Sequence, residues 1–267
     1  LFLGSEKSTK LSLAIAFSQY INCTNKTEND SCGSCDSCIK YNNLSHPDLH
    51  LIFPVLNING IKKPVSDNFV IQWREEVLQN PYINLNQWFD VFSSDNKSGK
   101  TGYIYTHESE NLHKKLALKH YESEYRVVLI WMPEKMNSMC SNKLLKLIEE
   151  PADKTVIILV TENEERLIET IRSRCQSVHL NSLSEQTIKS SLIKRLNIEK
   201  SLAQNIAYQS EGSYSRALDL LKQEPEDLRF ETWFIAWVRT AFQAKSNKQS
   251  INSLMAWSQE ISKAGRE

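Results

Sequence analysis

The sequence predicts an α/β protein: a parallel sheet wrapped by helices, a short cysteine-rich insertion after the first helix, and an all-helical region toward the C-terminus. Three observations carry this. Arg126-Val127-Val128-Leu129-Ile130 and Thr155-Val156-Ile157-Ile158-Leu159-Val160 are unbroken apolar runs of the kind buried on both faces of a sheet, and an amphipathic segment from Asn137 to Ile148 separates them. Strand and helix alternating in this way build a parallel sheet. Cys23, Cys32, Cys35 and Cys38 crowd into one polar stretch, and beyond Leu180 the apolar positions recur only at helical spacing.

Taken in order, Leu1-Phe2-Leu3 reads as a buried strand with nothing before it, so the native N-terminus is expected to lie upstream. Gly4-Ser5-Glu6-Lys7-Ser8-Thr9-Lys10-Leu11 then has the outline of the phosphate-binding loop G-x-x-x-x-G-K-[ST]. In a working loop, glycines turn backbone N–H groups toward phosphate, the lysine reaches the outer phosphates and the hydroxyl binds Mg²⁺. Gly4 and Lys10 remain. Thr9 replaces the second glycine, where a left-handed backbone would carry a side-chain penalty, and Leu11 offers Mg²⁺ no oxygen. Lys10 is thus the candidate cofactor-binding residue of a loop expected to be inactive. The helix that follows has an apolar face of Leu11, Leu13, Ala14, Ala16 and Phe17.

The next element is C-x8-C-x2-C-x2-C, with Asn29-Asp30-Ser31 and Gly33-Ser34 supplying tight turns. Two-residue gaps let neighbouring thiolates converge on one ion, and four cysteines make a closed, structural zinc site with no open position for water. The expected ligands are Cys23, Cys32, Cys35 and Cys38, in a module spanning 22–46. His46, in His46-Pro47-Asp48 before a strand at 49–53, is read as a surface histidine and not a ligand. Cys140 and Cys175 are read as packed small residues.

Residues 54–125 carry turn signals at Asn57-Ile58-Asn59-Gly60 and at 93–100, with helices expected near 67–78, 84–91 and 107–118. Trp73 and Trp88 are expected in the core, because stacking platforms for nucleic acid need interleaved exposed basic residues. After the strand at 126–130, where an ATPase places acidic residues to hold Mg²⁺ and orient water, this chain has Trp131 and Met132. Glu134 follows at a helix start, where a carboxylate suits the helix dipole without further purpose. Trp131, Thr161 and the Gly4 loop are expected to converge at the carboxyl ends of the strands. Further on, 184–197, 201–209 and 213–221 read as helices, with Ser182 and Glu185 as a capping box. A last helix from about 226 carries Phe230, Trp233, Phe234, Trp237, Val238 and Phe242, a stripe too wide to be buried by one helix.

Ser141-Asn142-Lys143-Leu144-Leu145-Lys146-Leu147-Ile148-Glu149-Glu150-Pro151, then 155–160, then Leu167-Ile168-Glu169-Thr170-Ile171-Arg172-Ser173-Arg174-Cys175-Gln176, resembles the clamp-loader branch of the AAA+ family, most closely its bacterial delta-prime members. The likeness covers residue 1 to about 222, weakly over 54–125. It implies an AAA+ core over 1–180 with the zinc module inserted, a helical lid over 181–222, and a collar domain of which 223–267 is only the beginning. It also implies that Arg174 is an arginine finger for a neighbouring subunit's ATP, and that Thr161 and Arg216 occupy the two sensor positions. The implied function is that of a non-catalytic subunit helping to load the sliding clamp onto primed DNA during replication. Its implied partners are gamma/tau-type ATPase subunits and a delta subunit. An active gamma/tau-like ATPase and a zinc-ribbon nucleic-acid-binding protein stay open as alternatives.

Composition fits this picture. Lysine plus arginine and aspartate plus glutamate both number 32, so any contact with nucleic acid rests on a local patch and not on an overall field. No apolar run approaches the roughly 18 residues of a membrane span and no signal peptide is seen, so a cytoplasmic protein is expected.

Overall fold

The computed structural model describes residues 1–4, 8–57, 61–92, 101–222, 234–235, 237–240 and 257–258. The chain divides into two compact units, Leu1–Arg216 and Ala217–Glu267. In the first, β1 (Phe2–Leu3), β2 (Leu49–Ile52), β3 (Arg126–Trp131), β4 (Thr155–Thr161) and β5 (Val178–His179) form one sheet in the order β2-β3-β4-β1-β5. Every pairing is parallel, with Arg126 opposite Thr155 and Leu3 opposite Thr161.

The apolar runs are unbroken because the sheet is covered on both faces. Val127, Leu129 and Trp131 of β3 pack with Leu11 and Ala14 of α1 (Lys10–Asn22), Tyr41 of α2 (Asp36–Asn42), Trp73 and Val77 of α3 (Val70–Gln79) and Trp88 of α4 (Leu85–Asp90). Val128 and Ile130 face the other way, toward Leu112 of α5 (Thr106–Leu116), Leu144 of α6 (Ser138–Glu149) and Ile171 of α7 (Glu169–Arg172). Trp73 and Trp88 are core residues, as expected. Phe53 stacks on Trp73 at 4.8 Å and meets Trp88 edge-on at 5.3 Å, and the Trp88 indole N–H donates to the Pro54 carbonyl at 2.8 Å. Cys140 is fully buried and Cys175 packs at the margin of the second cluster.

One buried acid ties the segment before α3 to α5. The Glu108 carboxylate accepts the Ser66 N–H at 2.6 Å and the Ser66 hydroxyl at 3.0 Å. Burial outweighs these bonds and pushes its pKa up to about 7. A carboxyl raised on folding adds stability that is complete below its ordinary pKa and is lost as pH rises through the folded value. Glu108→Gln is therefore expected to stabilise the protein by about 2 kcal/mol at pH 8 and by little at pH 4, measured by chemical denaturation at the two pH values.

The helical part of this unit comprises α8 (Glu185–Leu196), α9 (Lys200–Gln209) and the start of α10 (Tyr214–Lys222). The cap of α8 is Ser184, whose hydroxyl accepts the Thr187 N–H at 3.2 Å, and not Ser182. Leu183 instead bonds the Gly212 carbonyl at 2.9 Å, and at Gly212 (φ +83°) a Cβ would lie 2.6 Å from that of Ser182. The contact draws Ser182 out of the helix start.

Among the described residues of the second unit, Phe234 and Trp237 lie 5.9 Å apart and Trp237 stacks with Trp257 at 6.2 Å. Phe230, Trp233 and Phe242, expected on the same stripe, lie outside the described residues, as do 5–7 of the loop and the turn signals at 58–60 and 93–100. No helix among the described residues is long and apolar enough to cross a membrane.

Candidate functional site

The parallel sheet brings the carboxyl ends of β1, β3 and β4 side by side, and the loop lysine lies there. Thr9, the residue standing for the second glycine, has φ −74°, so its backbone is not left-handed. Lys10 opens α1 and is only 3% exposed. Its ammonium meets the Glu162 carboxylate, just past β4, at 3.0 Å.

A second carboxylate closes the cluster. Glu134 sits in the 3-10 turn Pro133–Lys135 directly after β3. It accepts the Thr161 hydroxyl at 2.7 Å and the Glu162 N–H at 3.2 Å. Burial raises its pKa above the usual carboxylate range. Glu134 thus does more than suit a helix dipole, since its carboxylate holds the Thr161 hydroxyl at the end of β4. Met132, between β3 and this turn, has φ +55°, a left-handed conformation uncommon for a non-glycine residue. That turn in the backbone aims the chain so that Glu134 and not Met132 faces Thr161.

The Lys10–Glu162 pair yields a direct prediction. Glu162→Ala should destabilise the protein by about 2–3 kcal/mol in urea denaturation, because a buried ammonium loses its carboxylate. The effect falls below that of a wholly buried pair because a quarter of the Glu162 side chain reaches water (25%). Adding Lys10→Met should recover most of the loss, and an unchanged midpoint in Glu162→Ala would show that the pair does not hold the fold.

Arg174 lies elsewhere, after α7. Its Nε meets the Glu149 carboxylate, at the end of α6, at 2.7 Å, and its Nη1 donates to the Thr170 carbonyl at 2.9 Å. The side chain is 40% exposed and borders an apolar groove of about 530 Å³ with Leu1, Phe2, Leu13 and Phe17. Arg216 pairs with Glu211 at 2.6 Å, five residues back.

The four cysteines do converge. Their sulfurs lie within 4.8 Å of one another, with Cys23–Cys35 and Cys32–Cys38 both at 4.0 Å. Four sulfurs at about 2.3 Å from one tetrahedral ion would be about 3.8 Å apart, so the cage fits a metal ion. Backbone N–H groups of Cys32, Cys35 and Cys38 point at the sulfurs of Cys23, Cys32 and Cys35 at 3.3, 3.3 and 3.5 Å, the orienting bonds such a site needs. Gly33, at φ +71°, makes the turn between Cys32 and Cys35. His46 is no ligand, but it is buried and not at the surface: it stacks on Tyr41 at 4.6 Å and its Nδ1 accepts the Asp48 N–H at 3.1 Å.

Glu162 is absent from the sequence reading, and Glu134 enters it only as a helix-dipole carboxylate. The available signal was a lone loop lysine together with acids just after two core strands.

A parallel sheet in the order β2-β3-β4-β1-β5, with a lysine, a threonine and two acids gathered at its strand ends, together with a cysteine cage and a helical region, defines a helix-wrapped α/β protein. The family described as DNA polymerase III, delta subunit, matches residues 1–184. The chain belongs to that family. A DNA polymerase III subunit delta' of Bacillus subtilis is 27% identical over 195 residues, 73% of this chain and 45% of that protein. One from Haemophilus influenzae is 28% identical over 200 residues, 73% of this chain and 47% of that protein. A DNA polymerase III subunit gamma of Buchnera aphidicola is 34% identical over 106 residues, 38% of this chain and 29% of that protein. The chain spans a little under half the length of these two delta-prime relatives.

Proposed function

We propose that the chain is a non-catalytic clamp-loader subunit of the replicative DNA polymerase. It hydrolyses no ATP itself, presents Arg174 to the ATP of a neighbouring gamma/tau-type subunit and, with that subunit and a delta subunit, helps load the sliding clamp onto primed DNA in the cytoplasm. The observation that carries this reading is the inward closure of the loop lysine, buried on Glu162 within its own chain. Supporting it, Leu11 stands where a Mg²⁺-binding hydroxyl belongs, Trp131 and Met132 stand where an ATPase has acids, and the nearest acid, Glu134, is engaged by Thr161. Arg174, by contrast, is held in a loose surface pair.

In this reading residues 1–180 are the AAA+ core, 181–222 the lid and 223–267 the beginning of an oligomerising collar. Zinc is the ion of the Cys23, Cys32, Cys35 and Cys38 cage, with a structural role: four thiolates fill its coordination sphere. Thr161 and Arg216 are relics of sensors. The gamma relative supports the rival reading, an active gamma/tau-like ATPase. Calorimetric titration of the isolated chain with Mg-ATP, followed by a turnover assay, separates the two. No binding and no hydrolysis are expected, whereas stoichiometric binding with turnover would replace this reading with the rival one.

A further inference from the structure

A second concave site lies along β2, the outermost strand of the sheet, at the amino ends of the strands and remote from the Lys10 cluster. The groove encloses about 360 Å³ between α3, β2 and the segment that follows α5. Arg74, Lys115, Lys119 and Arg126 line it, against two carboxylates, Asp48 and Asp67.

Both carboxylates are already engaged. Asp48 accepts the N–H groups of Tyr121, Glu122 and Ser123 at 2.8, 3.0 and 2.9 Å and the Ser123 hydroxyl at 3.0 Å. Asp67 takes Lys115 at 2.5 Å and the Asn111 amide at 2.8 Å. Arg126 is committed as well, because its buried guanidinium donates to the carbonyls of Leu116, at 2.8 Å, and Leu118, left over at the end of α5.

Arg74 and Lys119 remain. Among the described residues neither has a carboxylate within ion-pair distance. The Arg74 Nε–H is in addition buried with no hydrogen-bond acceptor, a donor left idle beside a concave surface. Four cations thus face two carboxylates in the groove, and His50 on the same wall is pushed down to about 4, by burial first and then by the charges of Lys115 and Arg126, which leaves it a neutral imidazole. Guanidinium is always charged and its fork matches phosphate oxygens two at a time. Two unmatched cations balance a phosphate dianion better than a single carboxylate.

We propose that this groove binds a phosphate group, with Arg74 as the bidentate anchor and Lys119 as the second, mobile charge. The site does not depend on the clamp-loader reading. The phosphate can belong to a small phosphate-bearing ligand or to a nucleic-acid strand, and two probes distinguish these sources.

The full chain is titrated with inorganic phosphate at low salt while the Arg74 Nε–H and His50 ring resonances are followed by NMR, and in parallel with a labelled single-stranded oligonucleotide followed by anisotropy. Saturable shifts at Arg74 and His50 are expected, and the affinity read at His50 should fall about tenfold in Arg74→Gln. Lys119→Gln should weaken it about threefold and, being at an exposed residue, keeps the test open if Arg74→Gln fails to fold. Oligonucleotide binding that weakens in the same variants identifies a strand phosphate. A phosphate response without an oligonucleotide response identifies a small ligand. The proposal is overturned if phosphate gives no saturable shift at Arg74 and the oligonucleotide no saturable anisotropy change, or if Lys119→Gln binds both as wild type does.

Discussion

Cys38→Ser, or metal removal by a strong chelator, is expected to unfold 23–42 while the parallel sheet stays folded. Few contacts besides the sulfurs hold the loop before α2. Residues 24–30 are exposed, and α2 has seven residues, far too few to persist alone. A structural zinc ion contributes about 10–16 kcal/mol of apparent binding free energy in small metal-dependent folds, and that energy is folding energy. The damage should spread inward, because Cys38 and Tyr41 are buried neighbours on α2 and the Tyr41 hydroxyl accepts from Asn22 at 2.8 Å. Hydrogen exchange with metal analysis checks this. One equivalent of zinc should vanish with Cys38→Ser, together with protection of the Cys32, Cys35 and Cys38 amides. Full protection in metal-free protein would show that the cage stands without an ion.

Arg174→Ala is expected to slow hydrolysis at the neighbouring site by about 10³-fold, the low end of what an arginine finger supplied in trans contributes. To serve there, the guanidinium must leave Glu149. That exchange costs little, since the side chains are 40% and 39% exposed and surface pairs contribute only about 0–1 kcal/mol. Glu149→Gln should accordingly change the rate by less than about fivefold. Arg174→Lys should not restore it, because an ammonium lacks the planar fork that meets two phosphate oxygens.

These two sites differ in how legible they are. Cysteine spacing declares a cage because its ligands are close in sequence, and β3 and β4 declare themselves because burial on both faces removes every polar residue from the strand interior. The departures from the phosphate-loop pattern also show, at Thr9 and Leu11. The contacts made there do not: Lys10 and Glu162 are 152 residues apart, and Glu134 and Thr161 are 27 apart. Local signals make Glu134 a helix-dipole carboxylate, and only the register of β3 against β4 brings it to Thr161. His46 misleads for a similar reason, since a polar residue beside a proline reads as surface until Tyr41 is placed against it. At α8, two serines compete for one cap, and the choice of Ser184 rests on Gly212, a distant partner of Leu183.

The proposed division of labour is an ATP site closed on itself and an arginine kept for another subunit. ATP hydrolysis is to be measured in a reconstituted clamp loader in which this chain carries either Lys10→Met or Arg174→Ala, with each variant first shown to assemble. A wild-type rate is expected with Lys10→Met and a collapsed rate with Arg174→Ala. A rate that falls with Lys10→Met and survives Arg174→Ala would contradict it.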